Sequence, residues 1–170
     1  MLRTKFDYAK LKSFAQTLKE FPHQITRKEA EAVGKEIIAE MKDMISKGES
    51  TIAGAGRFPG YKHAGVKGKY PDSVRYKYPS KRQRPVNLSL SGDFLRALRH
   101  RIYAAKFGFG IEVGYFDPEE AKKEEGHASG WNGQPKRPTI PAKGEEIAVR
   151  IQRLVIARFK ETFSAYVKKK

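Results

Sequence analysis

Apolar residues recur every three or four positions along three stretches of the chain, and every two positions along a fourth. In residues 4 to 21, Leu11, Phe14, Leu18 and Phe21 form one face of an amphipathic helix that Pro22 ends. A second helix is marked by Thr26 and, three residues on, Glu29, a pair that can cap each other's backbone amides. Ala30, Val33, Ile37, Met41 and Met44 continue it, and Gly48 stops it. The two helices are expected to pair. Further on, Ser91 predicts an N-cap and Asp93 complements the dipole of a short helix that turns Phe94, Leu95 and Leu98 inward. From Ile102 the period becomes two. Ile102 and Ala104 precede Gly108-Phe109-Gly110, and Ile111, Val113 and Tyr115 alternate after it, which predicts a β-hairpin. A lone hairpin is marginal, so it must pair with a strand near Thr139 and Ile140 or lie on helices. From Glu145 to about Val167, Ile147, Ile151, Leu154, Val155, Phe159, Phe163 and Tyr166 share one broad face of a long terminal helix. The expected class is α+β, a single domain over residues 1–170.

Between these elements, residues 48–87 show neither period. Glycines and prolines from Gly54 to Pro85 stop helices and long strands there, and an extended arm or loop is expected. Charge singles out the same stretch. The chain carries 35 Lys and Arg against 19 Asp and Glu, a net +16. Residues 51–92 hold half of that excess, with Asp72 their only acid. Phe58, Tyr61, Tyr70, Tyr76 and Tyr78 interleave with the bases, so the segment expects a surface to lie on. Its candidate partner-binding residues are Arg57, Phe58, Tyr61, Lys67, Lys69, Tyr70, Arg75, Tyr76, Lys81, Arg82 and Arg84. With few acids nearby to neutralise them, the arm should stay extended and mobile in the free subunit and seek acidic sockets on a neighbour.

Composition narrows the chemistry. Without cysteine there are no disulfides or thiolate zinc sites, and no apolar run approaches the ~18 residues of a membrane span. A chain translated into the cytoplasm is expected. Asp72 with Glu120-Ala121-Lys122 matches a loose metal-nuclease pattern, but residues 118–125 read as a polar helix where that chemistry needs a strand. His23, His63, His100 and His127 fall in separate segments and are read as solvated or capping. The run from Gly54 to Gly60 lacks the Gly-Lys-Ser/Thr ending of a phosphate loop. No catalytic residue, metal or cofactor is expected.

From Leu88 onward four motifs follow in order: Leu88-Ser89-Leu90-Ser91-Gly92-Asp93-Phe94, Ile111-Glu112-Val113-Gly114, Glu125-Gly126, and Arg137-Pro138-Thr139-Ile140-Pro141-Ala142. Their order and spacing resemble the tail completion and head-tail joining proteins of tailed bacteriophages, also called virion morphogenesis proteins. Phe94 and Thr139 stand where that family more often has Leu and Phe. The resemblance implies that Leu88, Ser91, Gly92, Phe94, Gly114, Gly126, Arg137 and Pro138 are structural motif positions. It also implies a structural subunit of the virion neck or tail end, assembled as a homo-oligomeric ring against connector or stopper, tail terminator or tail-tube proteins. The alternative is a basic nucleic-acid-binding protein, since attraction to phosphate needs no special fold.

Overall fold

The structure, a computed structural model, describes residues 16–17, 19–21, 25–74, 76–79, 81–82, 85–88, 92–106 and 108–169. Leu11, Phe14 and Leu18 of the first predicted helix lie outside the described residues, as do Arg75, Arg84 and Ser91. The architecture is α+β. Helix α1 (Arg27–Ser46) is followed by the irregular segment, the short α2 (Asp93–Ala97), strands β1 (Leu98–Ala104) and β2 (Phe109–Tyr115), then α3 (Pro118–Ser129) and α4 (Val149–Lys168).

The capping box forms as expected. The Glu29 amide donates to Thr26 Oγ1 at 3.2 Å, and the Thr26 amide donates to Glu29 Oε2 at 2.7 Å. Helix α1 then buries Ala30, Ile37, Ile38, Met41, Met44 and Ile45, the centre of the core. The hairpin also forms where the alternation puts it, antiparallel from Leu98 opposite Tyr115 to Ala104 opposite Phe109. Among the described residues it has no third strand. Thr139 and Ile140 sit in a bend, and the sheet is instead backed by α1 and α3.

Close approach of helix and hairpin depends on Gly34. A Cβ there would lie 2.4 Å from the His100 ring, whose Nε2 meets Glu31 Oε1 at 3.0 Å. Helix α4 crosses α1 and is held at its edge by Arg150 on Glu40 and Asp43 and by Arg158, whose Nε and Nη2 both donate at 2.7 Å to Glu36. It begins four residues later than expected, because Glu145 closes a turn onto Ala142 and Ile147 bridges to Ile52.

The described residues of 48–87 hold only a single 3₁₀ turn, Asp72–Val74, and no named strand, as predicted, and the parts around 50–61 and 85–88 pack on the body rather than extending from it. Ile52, Phe58, Tyr61 and Val86 are buried, and Phe58, Tyr61 and Val86 belong to the central core. Backbone bridges tie Glu49 to Arg57 and Ile52 to Ile147, and the Ala53 amide donates to the Glu146 carbonyl at 2.8 Å. Phe58 and Tyr61, two of the rings expected to await a partner, find one within the chain, where burying an aromatic side chain is worth about 1.5–3 kcal/mol, whereas Tyr76 stays fully exposed. Gly92, at φ 88°, holds the N-cap position of the short helix and makes no side-chain cap bond; the expected cap, Ser91, lies outside the described residues. Phe21 packs edge-on against Phe159 and Phe163 of α4; the pairing expected between the first two helices otherwise lies outside the described residues.

Alanine at position 34 improves helix propensity by about 1 kcal/mol yet forces the His100 ring away, and overpacking of this kind costs roughly 1–3 kcal/mol. Gly34→Ala should therefore lower the thermal midpoint measured by circular dichroism. An unchanged or raised midpoint would show that the hairpin can retreat without cost.

Candidate functional site: a cationic pocket with aromatic walls

After α3 the chain turns sharply at Gly130, makes a single 3₁₀ turn at Trp131–Gly133, and runs extended between Pro135 and Pro138. This geometry swings Arg137 inward. Its amide donates to the His127 carbonyl at 2.7 Å, while Nε and Nη2 each donate at 2.8 Å to the carbonyls of Pro59 and Gly60. The guanidinium carbon stands 4.5 Å from the Tyr61 ring centroid, and the residue is 2% exposed. Lys81, 8% exposed, sets its ammonium 4.9 Å from the same ring and 5.6 Å from that of Tyr70. The two tyrosines meet edge to face at 5.3 Å.

Next to Arg137, Thr139 is held from every side. Glu124 accepts from the Thr139 amide at 2.7 Å, from its hydroxyl at 2.5 Å and from the Ile140 amide at 3.1 Å. With the Thr139 proton committed to Glu124, the Tyr115 hydroxyl, 3.2 Å away, donates to Thr139 Oγ1. Thr51 donates to the Thr139 carbonyl at 2.6 Å and so ties the irregular segment to the same point. Burial raises the Glu124 carboxyl above its usual range, and these hydrogen bonds oppose the rise.

The resulting pocket has a volume of about 430 Å³, with Tyr61, Tyr70, His127, Trp131 and Arg137 in its wall. A hollow of about 180 Å³ shares Tyr70, Lys123 and His127 with it and reaches Lys81, Leu88 and Phe94. Gly126 lets the Trp131 ring lie on α3, since a Cβ there would stand 2.8 Å from that ring. Lys123 is ion-paired with Glu120. Among the described residues, neither Lys81 nor Arg137 has a carboxylate partner. Burial, and then the Arg137 charge, pull Lys81 down to about 8. Burial, followed by the charges of Lys81 and Arg137, pulls His127 down to about 4, so its imidazole is neutral at pH 7. The pocket offers cationic donors and π-faces, the chemistry of anion and aromatic recognition.

The fold brings Tyr61, Tyr70, Lys81, Leu88, Gly92, Phe94, Gly126 and Arg137 into or beside this pocket. Phe58 is buried in the core, and Phe94 stacks on Tyr115 at 4.5 Å. Arg57, Lys67, Lys69, Tyr76 and Arg82 stay on the surface, apart from the pocket; Gly114 lies in β2 and Pro138 is half-buried beside Arg137. Phe58, Tyr61 and Lys81 are thus interior groups, not surface contacts, because the segment folds back. His100 and His127 are likewise half-buried structural groups; His127 packs 5.1 Å from Phe94. Lys123, His127, Trp131 and Gln134 had not been singled out as site residues; the lone tryptophan beside a Gly/Pro run was the available signal. Glu120 and Lys122 lie on helix α3 rather than on a strand, against the nuclease geometry. Comparisons with family models, with curated proteins and with solved structures find no match.

The depressed His127 makes a signed prediction. Between about pH 6.5 and 4 the unfolded chain takes up a proton at this position that the folded chain refuses, so this residue's contribution to stability falls as pH falls through that window. His127→Gln should flatten the dependence of thermal midpoint on pH between 6.5 and 4, with little change above 7. Identical slopes for the two proteins would place the imidazole in water.

Proposed function

We propose that the chain is a non-catalytic structural subunit that assembles with copies of itself, in the manner of a neck or tail-completion protein of a tailed phage. In this reading it ends in the virion after assembly in the host cytoplasm. Helix α4 carries the proposal. Of its 20 residues only Ile151 is buried, although its apolar face runs its whole length. Val149, Ile156 and Val167 fall within about 20° of one line along the helix. They remain 51%, 52% and 45% exposed. Phe159 is exposed beside them, and a groove of about 140 Å³ runs between α4, α1 and the hairpin. Arg153 and Lys160 interrupt this line, and covering the half-exposed apolar side chains would be worth roughly 1 kcal/mol each.

A second copy of the chain is the occupant that the charge distribution supports. The surface of the irregular segment carries Arg57, Lys67, Lys69, Lys77 and Arg82, whereas the start of α3 presents Asp117 and Glu119, ahead of Lys122 and Lys123. Opposite charges on different patches favour head-to-tail contact, the kind that closes into rings. Both strands of the hairpin also keep one unpaired edge among the described residues.

Sedimentation velocity should show concentration-dependent association of the wild-type chain into a defined larger species. Ile156→Glu combined with Val167→Glu should remain monomeric with an unchanged circular dichroism spectrum and midpoint. A wild type that stays monomeric, or a double variant that associates equally well, contradicts the assembly reading. Binding of arbitrary duplex DNA at ~200 mM salt, with a steep salt slope, would replace it with the nucleic-acid reading.

A further inference from the structure

Among the described residues, two cations inside this fold lack the counter-charge that buried cations normally have. Arg137 uses Nε and Nη2 on the Pro59 and Gly60 carbonyls, and among the described residues no hydrogen bond reaches Nη1. The Lys81 ammonium has only π-faces. Isolated buried charges are costly, and chains retain them where something outside completes the pair. The pocket is also large enough to hold more than an ion: about 430 Å³ lies in the range of organic ligand sites. Its walls are tyrosine, tryptophan and imidazole rings, and the Gln134 Oε1 atom is buried without a hydrogen-bond partner.

We propose that this pocket receives a single carboxylate, borne by an acidic residue that is flanked by apolar or aromatic side chains in a peptide segment of a neighbouring protein. The carboxylate meets Arg137 in the pocket and faces Lys81 through the adjoining hollow, the flanking side chain lies against Trp131, and the peptide backbone offers an N–H to Gln134. Only the source of the peptide rests on the assembly reading.

The surroundings favour one carboxylate over a polyanion. Helix α3 forms one wall and carries Glu119, Glu120, Glu124 and Glu125 against Lys122 and Lys123. Lys123 is already paired with Glu120. None of these acids lines the pocket; what favours a single carboxylate over a row of phosphates is that Arg137 and Lys81 are nearly buried, 2% and 8% exposed, and stand inside the fold rather than along its surface. His127, neutral at pH 7, contributes a flat face rather than a third charge.

Trp131 is the only tryptophan, so intrinsic emission reports the pocket directly. The probe is a blocked tripeptide with glutamate between two phenylalanines, titrated beside its glutamine counterpart, inorganic phosphate and a ten-nucleotide oligothymidylate. The glutamate peptide should give a saturable emission change and bind about tenfold or more tightly than the glutamine peptide, as expected for hydrogen bonds to charged groups. Lys81→Met removes a desolvated cation with a side chain of similar shape. It should keep or raise the thermal midpoint and lose most of the glutamate preference. The proposal is overturned by equal affinity for the two peptides in the wild-type chain, by tighter binding of phosphate or oligonucleotide, or by a folded Lys81→Met that keeps the preference. The wild-type comparison decides the matter even if Lys81→Met does not fold. The titration needs no assembly, so its failure leaves the α4 reading standing, and a failure of that reading leaves the titration unaffected.

Discussion

Arg137 is the residue on which the shape of this molecule depends. A guanidinium loses several kcal/mol of hydration on burial, and here no carboxylate among the described residues repays it. Two backbone carbonyls and a tyrosine face take that role, worth about 1.5–3 kcal/mol per charged hydrogen bond and up to ~2 kcal/mol for the ring. Because those carbonyls belong to Pro59 and Gly60, the same contact that stabilises the cation fastens the Gly/Pro-rich segment to the domain. Thr139, two residues on, repeats the pattern through Glu124, Thr51 and Tyr115. A stretch without helix or strand periodicity thus acquires a fixed path from side chains distant in sequence.

The neutral acceptors have a consequence for function. Two carbonyls accept from Nε and Nη2 of Arg137 but leave its charge unanswered among the described residues, and Lys81 adds a second charge against the same Tyr61 ring. A folded monomer therefore carries two kinds of incompleteness: positive charge within an aromatic pocket, and an apolar stripe along α4. Both suit a protein whose final environment is an assembly. They differ in kind, since the stripe supplies non-directional burial while the pocket selects a particular group.

Much of this was legible in the chain. The Thr26 and Glu29 capping box, the Gly48 stop and the two-residue alternation around Gly108 rest on local geometry, and the elements fall where those signals lie. The composition of residues 48–87 announced the absence of regular structure but not where the segment would go. Destination depends on contacts such as Arg137 with Pro59, 78 residues apart, which no window on the sequence contains. Basic residues interleaved with rings read equally well as a surface for a partner or as cation–π pairs within the fold; Lys81 and Tyr61 proved to be the latter, while Lys67 and Lys69 stayed in water. The start of α4 was misplaced because Glu145 and Ile147 look helical by period yet are engaged in a turn and a bridge. His127 escaped notice as a pocket residue because its setting is made by Phe94 and Arg137, not by its neighbours in sequence.

The central claim is that residues 48–62 belong to the folded body, clamped by Arg137, rather than forming an arm that orders only on assembly. Hydrogen–deuterium exchange of the isolated monomer tests it at defined amides. Ser50, Ala53 and Phe58 each donate at 2.8 Å to a backbone carbonyl, and their exchange should be slowed to a degree approaching that of the α1 core. Exchange at these three amides as fast as in an unstructured peptide, with α1 still protected, would contradict the clamp and return the segment to solvent.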